Sequence, residues 1–403
     1  MNILHTSDWH IGHRLYEHSQ QYEQEKFLEW LLKTIDEKAI DVLLVSGDIF
    51  DTGYPSSQSL RMLYDFLAKL YKTTNCQHVV MTAGNHDAPG TISAPGELVK
   101  YFSINLIGKA SENIEDEIFR LNVNSEKLIV AAVPFLRDRD IRRASAGENA
   151  SDIEARYKTA LVNHYNEAAN VINKDKNSFV VAMGHLFAVG GQVSESENRI
   201  YVGGLGDIAA SDFPGLFDYV ALGHLHRPQM VDKKEHIRYS GSPYALSFSE
   251  TGSRKKVIVI KTIDSKLSSV NEIDVPVFRN LYTITGDVEH CKQQLEDISK
   301  HNNETEPWIE VNINEPGLAT NTYTLINEFV KDKAVRVLKT RIIGSQTVPD
   351  ITQIEKEDKQ LNELKPDDVF IRKCEEESSN IKANTEVLDA FYEILNGLEN
   401  VRE

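Results

Sequence analysis

The first 262 residues alternate short apolar, β-branched runs with segments of helical periodicity. Six runs have the length and texture of buried strands: residues 2–7, 41–47, 78–84, 128–134, 178–185 and 219–224. Between several of them, apolar residues recur on one helical face, at 22–38, 60–70 and 152–171. Strands that alternate with helices predict an α/β domain with a buried sheet.

The pattern changes after about residue 262. Prolines and polar breaks at 273–287 indicate a linker, and residues 281–343 then follow the order strand, helix, strand, helix, strand. The remaining segment has helical patterning with an apolar stripe on an acidic helix. We therefore expect a main domain at 1–275, a small α+β domain at 276–345 and a helical tail at 346–403.

Charge and cysteine content narrow the function classes. The 61 acidic residues exceed the 44 basic ones, giving a net charge of −17, which argues against binding nucleic acid through the whole surface but not through a local basic groove. Three scattered cysteines form no CxxC pair, so neither a disulfide framework nor a zinc knuckle is indicated. Without a membrane-spanning run or a signal peptide, a cytoplasmic location is expected.

Polar side chains follow five of the predicted strands at the point where each strand ends. These residues are Asp8 and His10; Asp48 and Asp51; Asn85, His86 and Asp87; His185; and His224 and His226. Ligands of open α/β sheets gather outside the carboxyl ends of the strands, so these side chains are expected to converge.

Carboxylate, amide and imidazole groups together suit Mn²⁺, Fe²⁺ or Zn²⁺, and the number of ligands suits two ions. Two cations about 3.5–4 Å apart clamp a phosphate and lower the pKa of a trapped water. Each motif alone has a simpler reading as a turn, a helix cap or a surface histidine, and only their conjunction favours metal. By contrast, His5 lies within a strand and is expected to be a hydrogen-bonded core residue.

The motifs DWH, GDIFD, GNHD, GH and GHLH occur in the order of the calcineurin-like metallophosphoesterase signature, which this chain therefore resembles. Longer stretches, ILHTSDWHIG, VPFLRDRDI and YSGSPYALSF, look like the SbcD-type nuclease subunits, bacterial relatives of the double-strand-break repair nuclease. The likeness covers about the first 280 residues. It implies an α/β/β/α sandwich with a small α+β capping domain and a helical C-terminal tail.

The resemblance also implies roles for the site residues. The first metal would be held by Asp8, His10, Asp48 and His226. The second would be held by Asp48, Asn85, His185 and His224, with Asp48 bridging. Both metals would be Mn²⁺, with Mg²⁺ or another divalent cation as the alternative. His86 would face the scissile phosphate, and Asp87 would orient His86 through a hydrogen bond. Other relatives carry a histidine at the position of Asp51, which is therefore expected to be a helix cap or a contact behind the ligands.

The implied function is a manganese-dependent DNA nuclease of repair, recombination and replication. With an SbcC-type coiled-coil ATPase it would act as an ATP-dependent exonuclease on double-stranded ends and an endonuclease on hairpins. Two copies would pair within a heterotetramer at the nucleoid. Two rival functions use the same fold: a small-molecule phosphodiesterase or phosphatase with the same dinuclear centre, and a non-catalytic scaffold.

Contacts to DNA and to the partner are predicted from clusters of basic residues and from one apolar stripe. The candidate DNA-binding residues are Arg137, Arg139, Arg142 and Arg143, with further candidates at Lys255, Lys256, Lys261, Arg336, Lys339 and Arg341. A solvated loop is the alternative for the arginine cluster, because two aspartates offset its charge. The tail stripe of Leu388, Phe391, Leu395 and Leu398 would suit docking on a coiled coil, or packing on its own domain.

Overall fold

The computed structural model describes residues 1–137, 140, 150–172, 177–188, 208–301, 305–314 and 319–343. The predicted helical tail lies outside the described residues. So do several candidate contact residues: Arg139, Arg142, Arg143, Leu388, Phe391, Leu395 and Leu398. In the described part of the chain, no helix is both long and apolar enough to cross a membrane.

One six-stranded sheet carries the N-terminal strand at its centre. Its order is β14 (Lys266–Asp274), β13 (Lys256–Ile263), β1 (Asn2–Thr6), β4 (Val42–Ser46), β5 (His78–Thr82) and β6 (Ile104–Ile107). Strands β1, β4, β5 and β6 are parallel, whereas β13 is antiparallel to β1. The outer face is covered by α1 (Gln21–Glu37) and α2 (Ser57–Thr73), which bury Phe27 and Leu67 in the same apolar cluster as Leu4.

A second six-stranded sheet stacks on the first. Its order is β11 (Gln229–Val231), β12 (Lys234–Tyr239), β10 (Tyr219–Gly223), β9 (Ser178–His185), β8 (Glu126–Ala132) and β7 (Ile118–Val123). Helix α5 (Ala150–Val171) covers its outer face. Apolar residues of both sheets, among them Leu44 and Val181, share one core. The predicted α/β/β/α sandwich is confirmed.

Shorter elements connect these layers. They are β2 (Arg14–Leu15), β3 (His18–Ser19), α3 (Pro89–Ser93), α4 (Gly96–Val99) and three 3₁₀ helices at Lys100–Phe102, Ile114–Glu117 and Phe248–Glu250. Residues Tyr16 and Glu17 form the turn between β2 and β3, both with positive φ. Lys339, in the strand Arg336–Ile342, donates a 2.9 Å hydrogen bond to the Tyr16 hydroxyl, which links this hairpin to that strand.

The third sheet contains the predicted strand, helix, strand, helix, strand order. It consists of β15 (Leu281–Gly286), α6 (Val288–Ser299), β16 (Trp308–Ile313), α7 (Ala319–Val330) and β17 (Arg336–Ile342). All three strands are parallel, and each connection between them crosses over through a helix, as parallel strands require. Its own apolar core contains Cys291, Leu295 and Ile309. The boundaries at 275 and 345 stay predictions.

His5 links the two large sheets from within the core, as the sequence predicts. Its Nδ1 lies 3.2 Å from the Tyr219 hydroxyl and its Nε2 lies 3.2 Å from the carbonyl oxygen of Leu222. Both partners belong to β10, so β1 of one sheet is hydrogen-bonded to the facing sheet. Burial lowers the pKa of His5 to about 3.

That lowered pKa predicts a pH-dependent stability. An unfolded His5 takes up a proton below about pH 6.5, whereas the folded one stays neutral until about pH 3. The free energy of unfolding should therefore fall as the pH drops below about 6.5, by up to about 1.4 kcal/mol per pH unit from this group. Urea unfolding in EDTA at several pH values should give a shallower pH dependence for His5→Asn than for the wild type. Parallel curves would show that His5 titrates alike in both states.

Candidate metal centre

The loops after β1, β4, β5, β9 and β10 meet at one end of the sandwich. The first two loops are joined by backbone hydrogen bonds from Asp8 N to the Gly47 oxygen and from His10 N to the Asp48 oxygen, at 3.1 and 3.0 Å. Asp8, His10 and Asp48 have φ values of 53°, 43° and 48°, and His224 has 102°. Such left-handed conformations are strained for most residues and persist where the surrounding structure imposes them, often at functional sites.

Asp48 lies at the centre of this end. Its Oδ2 is 3.2 Å from His185 Nε2 and 3.5 Å from His10 Nε2. Its Oδ1 accepts a 2.9 Å hydrogen bond from the backbone N–H of His86. Groups from three other loops therefore contact one carboxylate.

The other predicted ligands surround this carboxylate. Ligand atoms lie within 4.8 Å of one another in three sets: Asp8 with His10 and His226, Asp8 with Asp48 and His185, and His10 with Asp48 and His86. The amide oxygen of Asn85 lies 2.9 Å from His185 Nε2 and 3.0 Å from His224 Nδ1. The structure thus brings together all the predicted metal ligands: Asp8, His10, Asp48, Asn85, His185, His224 and His226.

These residues fit divalent cations. His10 is almost fully buried, yet its Nε2 has no hydrogen-bond partner. An unpartnered buried nitrogen is costly, and a cation bound to its lone pair would remove that cost. His185 has its Nδ1 at 3.0 Å from the Ser46 carbonyl oxygen, which directs Nε2 toward Asp48 and Asn85. A backbone carbonyl on one ring nitrogen is the usual way to orient a metal-binding histidine.

Burial and the two carboxylates shift the pKa values of the ligands in different directions. Burial lowers the pKa of His10 to about 4 and that of His224 to about 3, so both rings keep a free electron pair at neutral pH. Burial raises the pKa of Asp8 to about 6. Although burial opposes it, the negative Asp48 and Asp8 raise the pKa of His185 to about 9. Burial likewise opposes ionisation of Asp48, but His185 and His10 hold its pKa well below the usual range.

Two glycines of the motifs serve close packing of the site. A Cβ on Gly84 would lie 2.1 Å from Asp48 Oδ1, and one on Gly223 would lie 1.9 Å from the Ser46 carbonyl oxygen. Neither contact leaves room for a side chain. The glycines of GNHD and GHLH are therefore required where one ligand loop crosses another.

Asp87 does not orient His86, so that prediction is wrong. Its Oδ2 accepts backbone N–H groups of Ile49 at 3.0 Å and Gly84 at 2.9 Å, and its Oδ1 accepts that of Phe50 at 2.9 Å. The carboxylate is fully engaged by backbone donors that need an acceptor in the buried interior. Asp87 therefore ties the loop after β5 to the loop after β4.

Asp87→Asn is expected to destabilise the protein. An asparagine at this position has a single acceptor oxygen and would turn its amide toward one of the three N–H donors. One buried donor would lose its partner, at a cost of about 1–3 kcal/mol in the free energy of unfolding. Urea unfolding measures this loss. An unchanged unfolding midpoint would contradict the tying role.

Asp51 performs the orienting role expected of Asp87. Its carbonyl oxygen lies 2.8 Å from His86 Nδ1, and its carboxylate lies 2.8 Å from His13 Nδ1 and 3.3 Å from His10 Nδ1. It does not cap α2, whose N-cap is Ser56. Asp51 is thus a contact behind the ligands, and its carbonyl contact leaves no signal in the sequence.

Most of the described candidate DNA contacts are engaged within the protein. Lys255 is buried and forms an ion pair with Glu250, so its assignment to DNA is wrong. Lys256 pairs with Glu272. Arg137 donates a 2.7 Å hydrogen bond to the carbonyl oxygen of Asp87. It therefore lies beside the ligand loops and is held at one end.

Residues 1–228 match the calcineurin-like phosphoesterase family, and residues 277–378 match the type 5 capsule protein repressor C-terminal domain. The chain is 33% identical to the SbcD subunit of the SbcCD nuclease of Escherichia coli K12 over 376 residues, which span 93% of this chain and 92% of that protein. The protein of the same name in Bacillus subtilis 168 is 34% identical over 64% of this chain and 66% of its own length. That of Rhodobacter capsulatus is 35% identical over 62% and 64%.

The family match spans the described residues that supply every ligand side chain. The Escherichia coli relative extends the likeness through the third sheet. The chain therefore belongs to the calcineurin-like phosphoesterase family and, within it, to the SbcD nuclease subunits, which are metal-dependent hydrolases of phosphodiester bonds.

Proposed function

We propose that this chain cleaves DNA as the SbcD-type component of an SbcCD-type complex, using two Mn²⁺ ions. The observation that carries this proposal is the convergence of ligand side chains from five strand ends around Asp48. The proposal names DNA as the substrate, Mn²⁺ as the metal and an SbcC-type ATPase as the partner.

The ligands divide between two positions that share Asp48. Asp8, His10, Asp48 and His226 would hold one cation, and Asp48, Asn85, His185 and His224 would hold the other. When bound, two such cations activate water for attack and neutralise the charge that develops on a phosphate. Asp48 would be shared by the two positions, because its carboxylate faces both His10 and His185.

His86 acts on the phosphate rather than on a cation. Its Nδ1 is occupied by the carbonyl of Asp51, which leaves Nε2 for the substrate. Because the Asp51 carbonyl takes the Nδ1 proton, Nε2 carries an N–H only when the ring is an imidazolium, and that form stabilises charge on the phosphate or donates a proton to the leaving oxygen. The backbone hydrogen bond from His86 to Asp48 fixes the ring beside the shared carboxylate.

An SbcC-type ATPase is the proposed partner, since the relatives named above are subunits of SbcCD. The chain has a net charge of −17, so strong binding to DNA is expected to need the partner's cations. Arg137, beside the ligand loops, is a described candidate for a contact to the phosphate backbone. The substrates would be DNA ends and hairpins at the nucleoid. The tail stripe, residues 388–398, would dock on the coiled coil.

A second copy of the chain is the proposed occupant of an exposed aromatic surface. The surface is formed by α2 and by the segment from α4 through the following 3₁₀ helix, with these side chains: Tyr64, Tyr71, Leu98, Tyr101 and Phe102. Tyr101 is 87% exposed, and the Tyr71 and Phe102 rings meet edge to face at 5.1 Å. A group of exposed apolar side chains on neighbouring elements supports an interaction site.

Tyr101→Glu is therefore expected to weaken self-association by at least about tenfold, because it would bury a charge in the interface. Sedimentation equilibrium of the full chain measures the dissociation constant. Tyr323→Glu, an exposed tyrosine on α7 outside this surface, is the matched control. A monomeric wild type, or equal association of both variants, would contradict the proposal.

The proposed function is tested with a hairpin and a blunt duplex, with and without an SbcC-type ATPase and ATP. Mn²⁺, Mg²⁺ and EDTA are compared, and a cyclic nucleotide serves as the small-molecule substrate. We expect Mn²⁺-dependent DNA cleavage that the partner increases. Faster hydrolysis of the cyclic nucleotide than of DNA, or cleavage that survives EDTA, would overturn the proposal.

A further inference from the structure

A buried polar cluster lies directly behind His226. Glu250, at the end of the 3₁₀ helix Phe248–Glu250, has Oε1 at 3.4 Å from His226 Nδ1. Its Oε2 forms an ion pair with Lys255, and both side chains are almost completely buried. Lys255 Nζ also donates to the carbonyl oxygen of His226 at 3.0 Å and to Ser242 Oγ at 2.8 Å. Glu250, Lys255 and Ser242 thus form a hydrogen-bonded cluster around His226.

This cluster contacts both the ring and the backbone of His226. The His226 carbonyl oxygen accepts from Ser242 N at 3.2 Å as well as from Lys255. Gly241, with φ of +75°, passes so close that a Cβ there would lie 2.8 Å from this oxygen. The position of the ring therefore depends on the loop at 240–255 rather than on β10 alone, the strand that His226 follows.

We infer that Glu250, with its charge balanced by Lys255, is a positioning residue that sets the orientation and tautomer of His226. This inference rests on the proposed function. A carboxylate facing Nδ1 holds the ring proton on that atom and leaves the electron pair of Nε2 for the cation that His226 would share with Asp8 and His10. Glu250 itself lies behind the ring and takes no part as a ligand.

A contribution to stability does not by itself explain the buried Glu250–Lys255 ion pair. Taking both charges out of water costs several kcal/mol per ion, and well-packed apolar residues often replace buried pairs without loss. Here every contact of Lys255 described above converges on His226 or on the group that holds it. The arrangement is therefore better explained by what it does for one ligand.

A second buried carboxylate–imidazole pair supplies the matched control. Glu117 Oε2 lies 2.8 Å from His164 Nε2, and both residues are buried under the second sheet. Neither is among the ligands. Glu117→Gln thus removes the same charge from the same kind of partner without touching the metal centre.

The experiment measures Mn²⁺ binding to the full chain by calorimetry and by the electron paramagnetic resonance of free Mn²⁺. Glu250→Gln removes the charge, and Glu250→Asp keeps a charge for Lys255 but withdraws the carboxylate from the ring. We expect both variants to weaken one of two Mn²⁺ sites by about 10–100-fold and to leave the other unchanged. Glu117→Gln should bind Mn²⁺ as the wild type does, even if it melts at a lower temperature.

The outcomes separate the inference from the proposed function. If the wild type binds two Mn²⁺ and cleaves DNA while Glu250→Asp binds both ions normally, the positioning role alone is overturned. If Glu250→Gln fails to fold, the better-matched Glu250→Asp decides in the same way. If Glu117→Gln weakens Mn²⁺ binding equally, the effect is general destabilisation and the inference fails. A wild type that binds no Mn²⁺ overturns the proposed function and the inference together.

Discussion

Asp48→Asn is expected to reduce nuclease activity by about a thousandfold or more. The carboxylate faces His10 and His185 with one oxygen, and its charge is the one shared between the two proposed cation positions. An amide is a weak ligand and would turn its NH₂ group toward one of these partners. Loss of about 4 kcal/mol of transition-state stabilisation corresponds to about a thousandfold in rate. Initial rates at saturating Mn²⁺ measure the effect.

The backbone at Asp48 makes asparagine the appropriate replacement. Its φ of 48° is left-handed, a conformation that Asn tolerates better than most residues. Asp232 has the same φ and is exposed on a turn. Asp232→Asn therefore controls for the effect of an Asp-to-Asn change at a left-handed position outside the metal centre. Retention of more than about a tenth of the wild-type rate in Asp48→Asn would exclude a shared-ligand role.

His86→Leu is expected to lower kcat by about 10²–10⁴-fold while leaving Mn²⁺ affinity unchanged. The reason is that Nδ1 is already bonded to the Asp51 carbonyl, so the ring's other nitrogen is the one available to the substrate. Single-turnover cleavage with saturating Mn²⁺ gives the rate, and calorimetry gives the affinity. The two measurements together distinguish a substrate contact from a ligand.

The ligand alternative for His86 is specific, since His86 lies within 4.8 Å of His10 and Asp48 ligand atoms. Weaker Mn²⁺ binding in His86→Leu would therefore assign the ring to a cation. His236→Leu, a substitution on β12 away from the metal centre, controls for loss of an imidazole. Unchanged cleavage by His86→Leu would remove His86 from the reaction altogether.

The convergence of the ligands was predictable because it depends on topology. A parallel strand that ends in Asp or His delivers that side chain to the same edge as its neighbours, whatever the separation in sequence. Five such endings indicated the site before the fold was known, including Asp8 and His226, which are far apart in the chain. Periodicity likewise placed α1, α2 and the helices of the third sheet.

The errors concern contacts that have no side-chain pattern. The resemblance implied that Asp87 orients His86, but three backbone N–H groups bind its carboxylate instead. The group that orients His86 is a carbonyl of Asp51, and every residue has a carbonyl. The sequence alone presents Lys255 as a surface cation, because only the folded loop behind His226 brings it to its partner Glu250.

The central position of β1 has a consequence for the chain as it is synthesised. This strand pairs with β4 on one side and with β13, at Lys256–Ile263, on the other. Asp8 and His10 follow β1 and are synthesised first. More than two hundred further residues must be added before β13, one partner of β1, has been made. At about 5–20 residues per second, that delay is on the order of ten to fifty seconds. We therefore expect a nascent chain of this protein to lack nuclease activity until β13 has been synthesised.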